Sequence, residues 1–483
     1  MKYSSSLRRP RFATTAPGAG ASLAWHLAGA LFLASLAAPA AGAQQAPSQG
    51  QPPASAKGAG DGLESQDGDN VTIVIDGEVR ERFHLAFPAA KLDVGMSSSG
   101  RSAAADLEAA LRQDLDLTGV FDLQGPEALS VLQLTGDPSY DLELYRSLGN
   151  ELLLLADVRE DGGRVVFEGR LLDLGNGESI VGKRYQGSFD IARSIAHTFS
   201  DEVLLYLTGR RGIARTSIAF VSDRTGEKEI FLMDYDGYNQ RRITAHRSIS
   251  MSPSWTPDDG GLCYLSYVSG TPGIYYVDLA TGNKRPVLVD SAHNFSPALS
   301  PDGQHLAFAR SLGGNTEVFT TTLAGGEAKR LTTSGAIDTN PAWSPDGRLI
   351  AFTSSRAGNP NIYIMNADGS DLRRLTRDGT YNDGAAWHPD GNRIAYASRR
   401  NGIFQIAITD LVTLETRVIT TGTSNKEEPT WSPDGQRLAF TARRGQSTEI
   451  YVVDADGSHL RQLTQEGNSS APSWSPYPAA TGK

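Results

Sequence analysis

The chain has 483 residues, 21% charged and 39% hydrophobic, with a formal net charge of −10, which suits a globular protein of two or three domains. The acidic balance speaks against a nucleic-acid or anionic-membrane surface. One cysteine, Cys263, rules out an intrachain disulfide framework and any Cys-x-x-Cys metal site.

Lys2, Arg8, Arg9 and Arg11 precede an apolar run from about Leu23 to Ala38 that ends at Ala41-Gly42-Ala43. This order predicts a secretory signal peptide over residues 1–43, with Gln44 as the first mature residue and export to a periplasm. Arg8-Arg9 also begins a twin-arginine pattern that its neighbours do not complete. No later apolar stretch is long enough for a membrane-spanning helix. Residues 44–69, rich in Gln, Pro, Ser, Ala, Gly and Asp, read as a disordered linker.

Residues 70–210 predict an α+β domain. The β-branched run Val71-Thr72-Ile73-Val74-Ile75 reads as a strand, and a helix follows Ser102 with Leu107, Leu111 and Leu115 on one face. The leucines of 152–155 suit a buried strand, and 164–174 and 179–185 pair across Gly175-Asn176-Gly177. A last helix carries Ile191, Ile195, Phe199, Val203 and Leu207, with Gly209 as its stop.

The remainder, 211–483, is repetitive. Pro257, Pro301, Pro345, Pro389 and Pro433 are spaced by 44 residues, and so are the aromatic residues at 220, 264, 308, 352, 396 and 440. Each unit reads as four short strands, A to D, joined by Pro-Asp-Gly and Asp-Gly turns, the period of a β-propeller blade. The first apolar triplet, Ile218-Ala219-Phe220, lacks a strand A before it, and the last unit, Ser473-Trp474-Ser475-Pro476, lacks strands after it. The two fragments complete each other, so a six-bladed propeller closed by the C-terminal strand is expected.

In such a blade the D–A connections ring one mouth of the channel, and here they vary from unit to unit. His246, Arg247, His293, Asn294, Asn340, Asn382 and Glu427 converge there as a candidate partner-binding site. Asp302, Asp346, Asp390 and Asp434 could suggest calcium or acid–base chemistry, but each sits in a Pro-Asp-Gly turn where aspartate caps its own backbone. Asp234-Tyr235-Asp236-Gly237 starts like a calcium loop yet lacks the downstream glutamate. There is no Gly-x-Ser-x-Gly elbow, and the histidines are too scattered for a local metal pair. No catalytic residue, metal ligand or cofactor is expected, calcium in the channel being a weak alternative.

The repeat Ser-Pro-Asp-Gly-x-x-Ile-Ala-Phe with Asp-Gly-Ser-x-x-Arg-Arg-Leu-Thr resembles the propeller units of the TolB family of the Tol–Pal system. His197-Thr198-Phe199-Ser200-Asp201-Glu202-Val203, Asp234-Tyr235-Asp236-Gly237-Tyr238-Asn239-Gln240, His246-Arg247-Ser248 and Trp474-Ser475-Pro476-Tyr477 are similar to that family as well, over residues 70–477. The resemblance implies a periplasmic, non-enzymatic adaptor, monomeric, that serves outer-membrane integrity and cell division. Its mouth would bind the lipoprotein Pal, with His246, Arg247, His293 and Asn294 at matching positions; Asn340, Asn382 and Glu427 come from loop geometry alone. Its N-terminal strand, here Val71, Ile73 and Ile75, would meet TolA. The linker 44–69 departs from the family, whose members start close to that strand. The alternatives are a propeller holding a carbohydrate or small ligand in its channel and the accessory propeller of a peptidase. Only Phe295 and Tyr381 supply aromatics for the first, and residues 70–210 are too short for the hydrolase domain of the second.

Overall fold

A computed structural model describes residues 82–479. The expected signal peptide, the linker and the strand with Val71, Ile73 and Ile75 lie outside the described residues.

The first region runs β1 (Phe83–Ala86), β2 (Lys91–Leu92), α1 (Ser98–Leu117), β3 (Phe121–Gln124), α2 (Pro126–Leu129), α3 (Pro138–Ser147), β4 (Leu152–Asp161), β5 (Arg164–Asp173), β6 (Ser179–Gly187) and α4 (Ala192–Thr208). Its sheet has the order β3-β1-β4-β5-β6, with β2 also on β4. The first pairings are parallel, and the long β4–β5–β6 meander is antiparallel. Ser97 caps α1 by accepting from the Gly100 N–H, and Leu107, Leu111 and Leu115 bury one face of the helix. That face meets Ile195, Phe199 and Val203 of α4 and the sheet residues Leu154, Val158 and Phe167 in one core. Gly209 ends α4 at φ +69°, a backbone that a Cβ disfavours. Ile191, expected in the apolar stripe of this helix, precedes its first turn and is 40% exposed.

The second region is a six-bladed propeller, six four-stranded antiparallel sheets. Blade 1 takes strands B, C and D from Ser217–Ser222, Glu229–Asp234 and Arg241–Arg242. Its inner strand A is Ser469–Trp474, with Trp474 opposite Ile218 and Ser469 opposite Ser222. The C-terminal strand therefore closes the ring, which leaves no inner edge unpaired there. Strands A of blades 2 to 6 are Ser250–Trp255, His293–Leu299, Asp338–Trp343, Asn382–Trp387 and Lys426–Trp431. The Trp at the end of strand A ties its blade to the one before: Trp343, Trp387 and Trp431 donate from Nε1 to the carbonyls of Ala298, Ala342 and Ala386 at 3.1, 3.1 and 3.2 Å. Trp255 makes the same bond to Ser473 at 2.8 Å, across the closure. Leu299 has no indole; its backbone N–H donates instead to the Ser254 hydroxyl of the blade before, at 3.3 Å.

Every strand A carries a β-bulge midway, where its register with strand B shifts. One bulge residue in each blade takes positive φ: Ser252, Ser296, Asn340, Gly384, Glu428 and Ala471, at +54°, +50°, +50°, +67°, +58° and +50°. A bulge re-aims the side chains of a strand. Six of them in register therefore set a ring of differing side chains on one backbone frame.

Candidate functional site

The regular turns of the propeller are built from their own side chains. Asp346 accepts from the Ser344 hydroxyl (2.6 Å) and the Arg348 N–H (3.1 Å), and Asp434 accepts likewise from Ser432 and Gln436 at 2.5 and 3.0 Å. Asp302 does the same with Ser300 and Gln304. In blade 5 His388 replaces the serine, facing Asp390 at 2.8 Å and the Gly435 carbonyl at 3.0 Å. These aspartates are turn caps, as their sequence setting implies.

The first region packs on that turn face. Tyr235, in the C–D turn of blade 1, donates to Asp114 of α1 at 2.8 Å. A cavity of about 220 Å³ beside it is lined by Leu117, Gly119, Tyr235, Arg437, Val452 and Trp474. The D–A connections emerge at the other end of each strand A, so the mouth they form is not covered by the first region.

At the mouth the candidate residues divide into exposed groups and buried struts. Arg247 is exposed at φ +52°, held by its backbone N–H on Glu229 at 3.2 Å. His246 is half-buried, its Nε2 3.0 Å from the Tyr264 hydroxyl and its ring stacked on Tyr264. Burial lowers its pKa, so the imidazole is neutral at pH 7. His293 is exposed. Asn340 bridges three blades: its Oδ1 accepts from Ser296 (2.8 Å) and its Nδ2 donates to Asp383 (2.9 Å). Asp383 also accepts from Thr353 at 2.7 Å. Burial, with Glu428 and Asp383 close by, pushes the Glu427 carboxyl up to about 7, against the pull of Arg443. Glu428 accepts from Thr441 (2.7 Å) and from the Ala471 N–H (2.8 Å), joining blade 6 to blade 1.

Asn294 and Asn382 differ from the expectation that loop polar groups face outward. Both are fully buried as early residues of strand A. Asn294 donates to Asp290 (2.9 Å), which also holds Arg310 at 2.7 Å. Asn382 donates to Asn361 (3.1 Å) and to the Asp378 carbonyl (2.8 Å). They brace the loops from beneath and offer no side chain to a partner. Asp383 and Glu428, next to the candidates Asn382 and Glu427 in the sequence, complete the ring together with Ser296, which the sequence did not single out. Ser296 stands one 44-residue repeat before Asn340 and Glu428 two repeats after it, and that shared frame is the signal that reveals their equivalent places.

Residues 205–478 match the family model described as the TolB beta propeller domain, and residues 71–180 match the TolB amino-terminal domain. The Tol-Pal system protein TolB of Geobacter sulfurreducens is 42% identical over 155 residues, 32% of this chain and 36% of the relative. That of Geobacter metallireducens is 40% identical over 148 residues, 31% of this chain and 34% of the relative. The chain thus spans about a third of the length of these curated relatives in the matched stretch. The crystal structure of TolB from Acinetobacter baumannii superposes with a TM-score of 0.69 at 24% identity, covering 82% of this chain and 97% of that one, a likeness of fold.

Proposed function

This chain belongs to the TolB family, and on that premise we propose that it is a non-enzymatic, periplasmic adaptor of the Tol–Pal system. Pal docks at the propeller mouth in this reading, and TolA engages the segment around Val71, Ile73 and Ile75. One observation carries it: the first region occupies the turn face, while the varied D–A face stands open with Arg247 and His293 exposed on it. A protein surface that keeps one repeated face regular and varies the other binds through the varied one. Arg247, His293 and the edge of His246 supply donors on blades 2 and 3. Asn340 and Glu427 supply the amide and carboxyl of the channel wall, and Asn294 and Asn382 hold the loops in place. No helix among the described residues is long and apolar enough to cross a membrane.

The test is a titration of the full chain with Pal from the same organism. Arg247→Ala combined with His293→Ala should weaken binding at least tenfold, because exposed arginines near the centre of an interface are often dominant anchors. The melting temperature should stay within a degree or so, since neither side chain supports the fold. Unchanged affinity in this variant would move the partner site away from the mouth.

A further inference from the structure

The seam between the first region and blade 1 is built unlike either region it joins. At its centre lies His197 of α4, 3% exposed. Its Nδ1 is 2.8 Å from Asp114 Oδ2 of α1, and its Nε2 is 3.7 Å from Asp234 Oδ2 of blade 1. The other oxygen of Asp114 accepts from the Tyr235 hydroxyl, and the Tyr235 ring stands edge-on to the imidazole with centroids 5.8 Å apart. Asp236, its carboxylate fully buried, pairs with Arg193 of α4, whose guanidinium also covers the Tyr238 ring at 3.8 Å. From blade 6, Arg437 and His459 approach the same corner, but both are held by Asp454.

Three carboxylates, Asp114, Asp234 and Asp236, thus face one guanidinium and one imidazole. With a neutral imidazole, two negative charges would be buried against Arg193 alone, an arrangement that desolvation penalises heavily. A proton on His197 gives both ring nitrogens a hydrogen to donate, one towards each region. We propose that His197, as an imidazolium bridging Asp114 of α1 and Asp234 of blade 1, is the latch that fixes the first region on the propeller, and that the seam opens as a unit when that charge is removed.

The electrostatics of the site agree with the geometry. Burial alone would lower the His197 imidazole, but its hydrogen bond to Asp114, the Asp234 carboxylate at ion-pair distance and the charges of Asp114 and Asp236 raise it to about 10. Burial raises the Asp114 carboxyl too. The shared proton nevertheless stays on the imidazole, which alone faces all three acids. A histidine raised in the folded state contributes stability that is complete below its ordinary value of 6.5 and declines as pH climbs towards 10. The latch is therefore closed throughout the neutral range. The same cluster of Asp114, His197 and Asp236 has the donor set of a metal site, but Arg193 already neutralises Asp236, and a bound ion would have to displace the imidazole proton.

Two measurements on the full chain test the latch. Ring-nitrogen NMR at pH 7.5 should show His197 protonated at both Nδ1 and Nε2, a result that does not depend on any variant folding. In His197→Gln, hydrogen exchange should rise at least tenfold in peptides covering 107–119 and 230–240, while blades 3 and 4 keep wild-type protection. His197→Lys, which retains the charge, should restore part of that protection. A neutral His197 at pH 7.5 would overturn the proposal, as would unchanged exchange in His197→Gln. Loss of the imidazolium signal on addition of zinc at stoichiometric concentration would also overturn it, in favour of a metal site.

Discussion

The two faces of the propeller are made from one repeating backbone and put to opposite ends. On the turn face, Asp302, Asp346 and Asp434 spend their acceptors on the serine and N–H groups of their own turns. On the mouth face, the six bulge positions share positive φ but hold Ser, Ser, Asn, Gly, Glu and Ala. Repetition there fixes where a side chain stands and leaves its chemistry free. The turn face satisfies itself and accepts the first region through buried ions. The mouth ties Asn340, Asp383 and Glu428 into a frame and leaves Arg247 and His293 exposed on it, as a docking surface needs.

The sharpest way to break this comparison is to break the ring that supports both faces. Removing residues 469–483 takes away the strand paired with Ser217–Ser222 and the buried Trp474, whose Nε1 donates to Thr216 at 2.9 Å. A buried Trp→Ala change alone costs about 3–5 kcal/mol, and the deletion adds an exposed strand edge. The truncated chain should be insoluble or unfold at far lower urea than the wild type. A wild-type urea midpoint would show that closure by the C-terminal strand is dispensable.

Within the mouth, the comparison is between struts and exposed groups. Asn382→Ala removes a fully buried amide that braces the blade 5 loop and leaves Asn361 Oδ1 with one donor fewer. The expected cost is about 1–3 kcal/mol, the range for a buried polar group that loses its partner. It should be read as a shift of the urea midpoint with unchanged slope. A cost near zero would return Asn382 to the set of groups available to a partner.

Sequence reading found the frame and mistook this detail for a physical reason. A 44-residue spacing of Pro and aromatic residues is visible because the turns and blade cores need the same residue types each time. The six blades, the closing strand and the stop at Gly209 follow from that and from helix capping. The bulges leave no such trace, because five residue types, Ser, Asn, Gly, Glu and Ala, share the same left-handed position. Asn294 and Asn382 looked exposed because polar loop residues usually are, and only the backbone path turns them inward. The latch is the least legible feature. Asp114, His197 and Tyr235 are 83 and 121 residues from Asp114 to the others, so no local spacing links them.

The smallest effect separates the two faces by charge. Asp346 on the turn face is carried down to about 2 by the Ser344 hydroxyl and the Arg348 N–H, so its anion is favoured where it stands. Glu427 in the mouth is carried up to about 7 by burial and by its acidic neighbours, so its anion is disfavoured. The sign follows from linkage: a carboxyl raised in the folded state lets stability fall as pH passes from its ordinary 4.5 towards 7, with the full penalty present above that. Glu427→Gln cannot ionise and escapes the penalty. The variant should match the wild type at pH 4 and become the more stable protein by pH 8. The size of the shift sets a ceiling of about 3 kcal/mol, and water in the open mouth should reduce the gain to about 1 kcal/mol. Parallel urea titrations at the two pH values read it directly. A constant difference between the proteins at both pH values would mean that Glu427 is solvated like any rim residue, and the contrast between the two faces would rest on their hydrogen bonds alone.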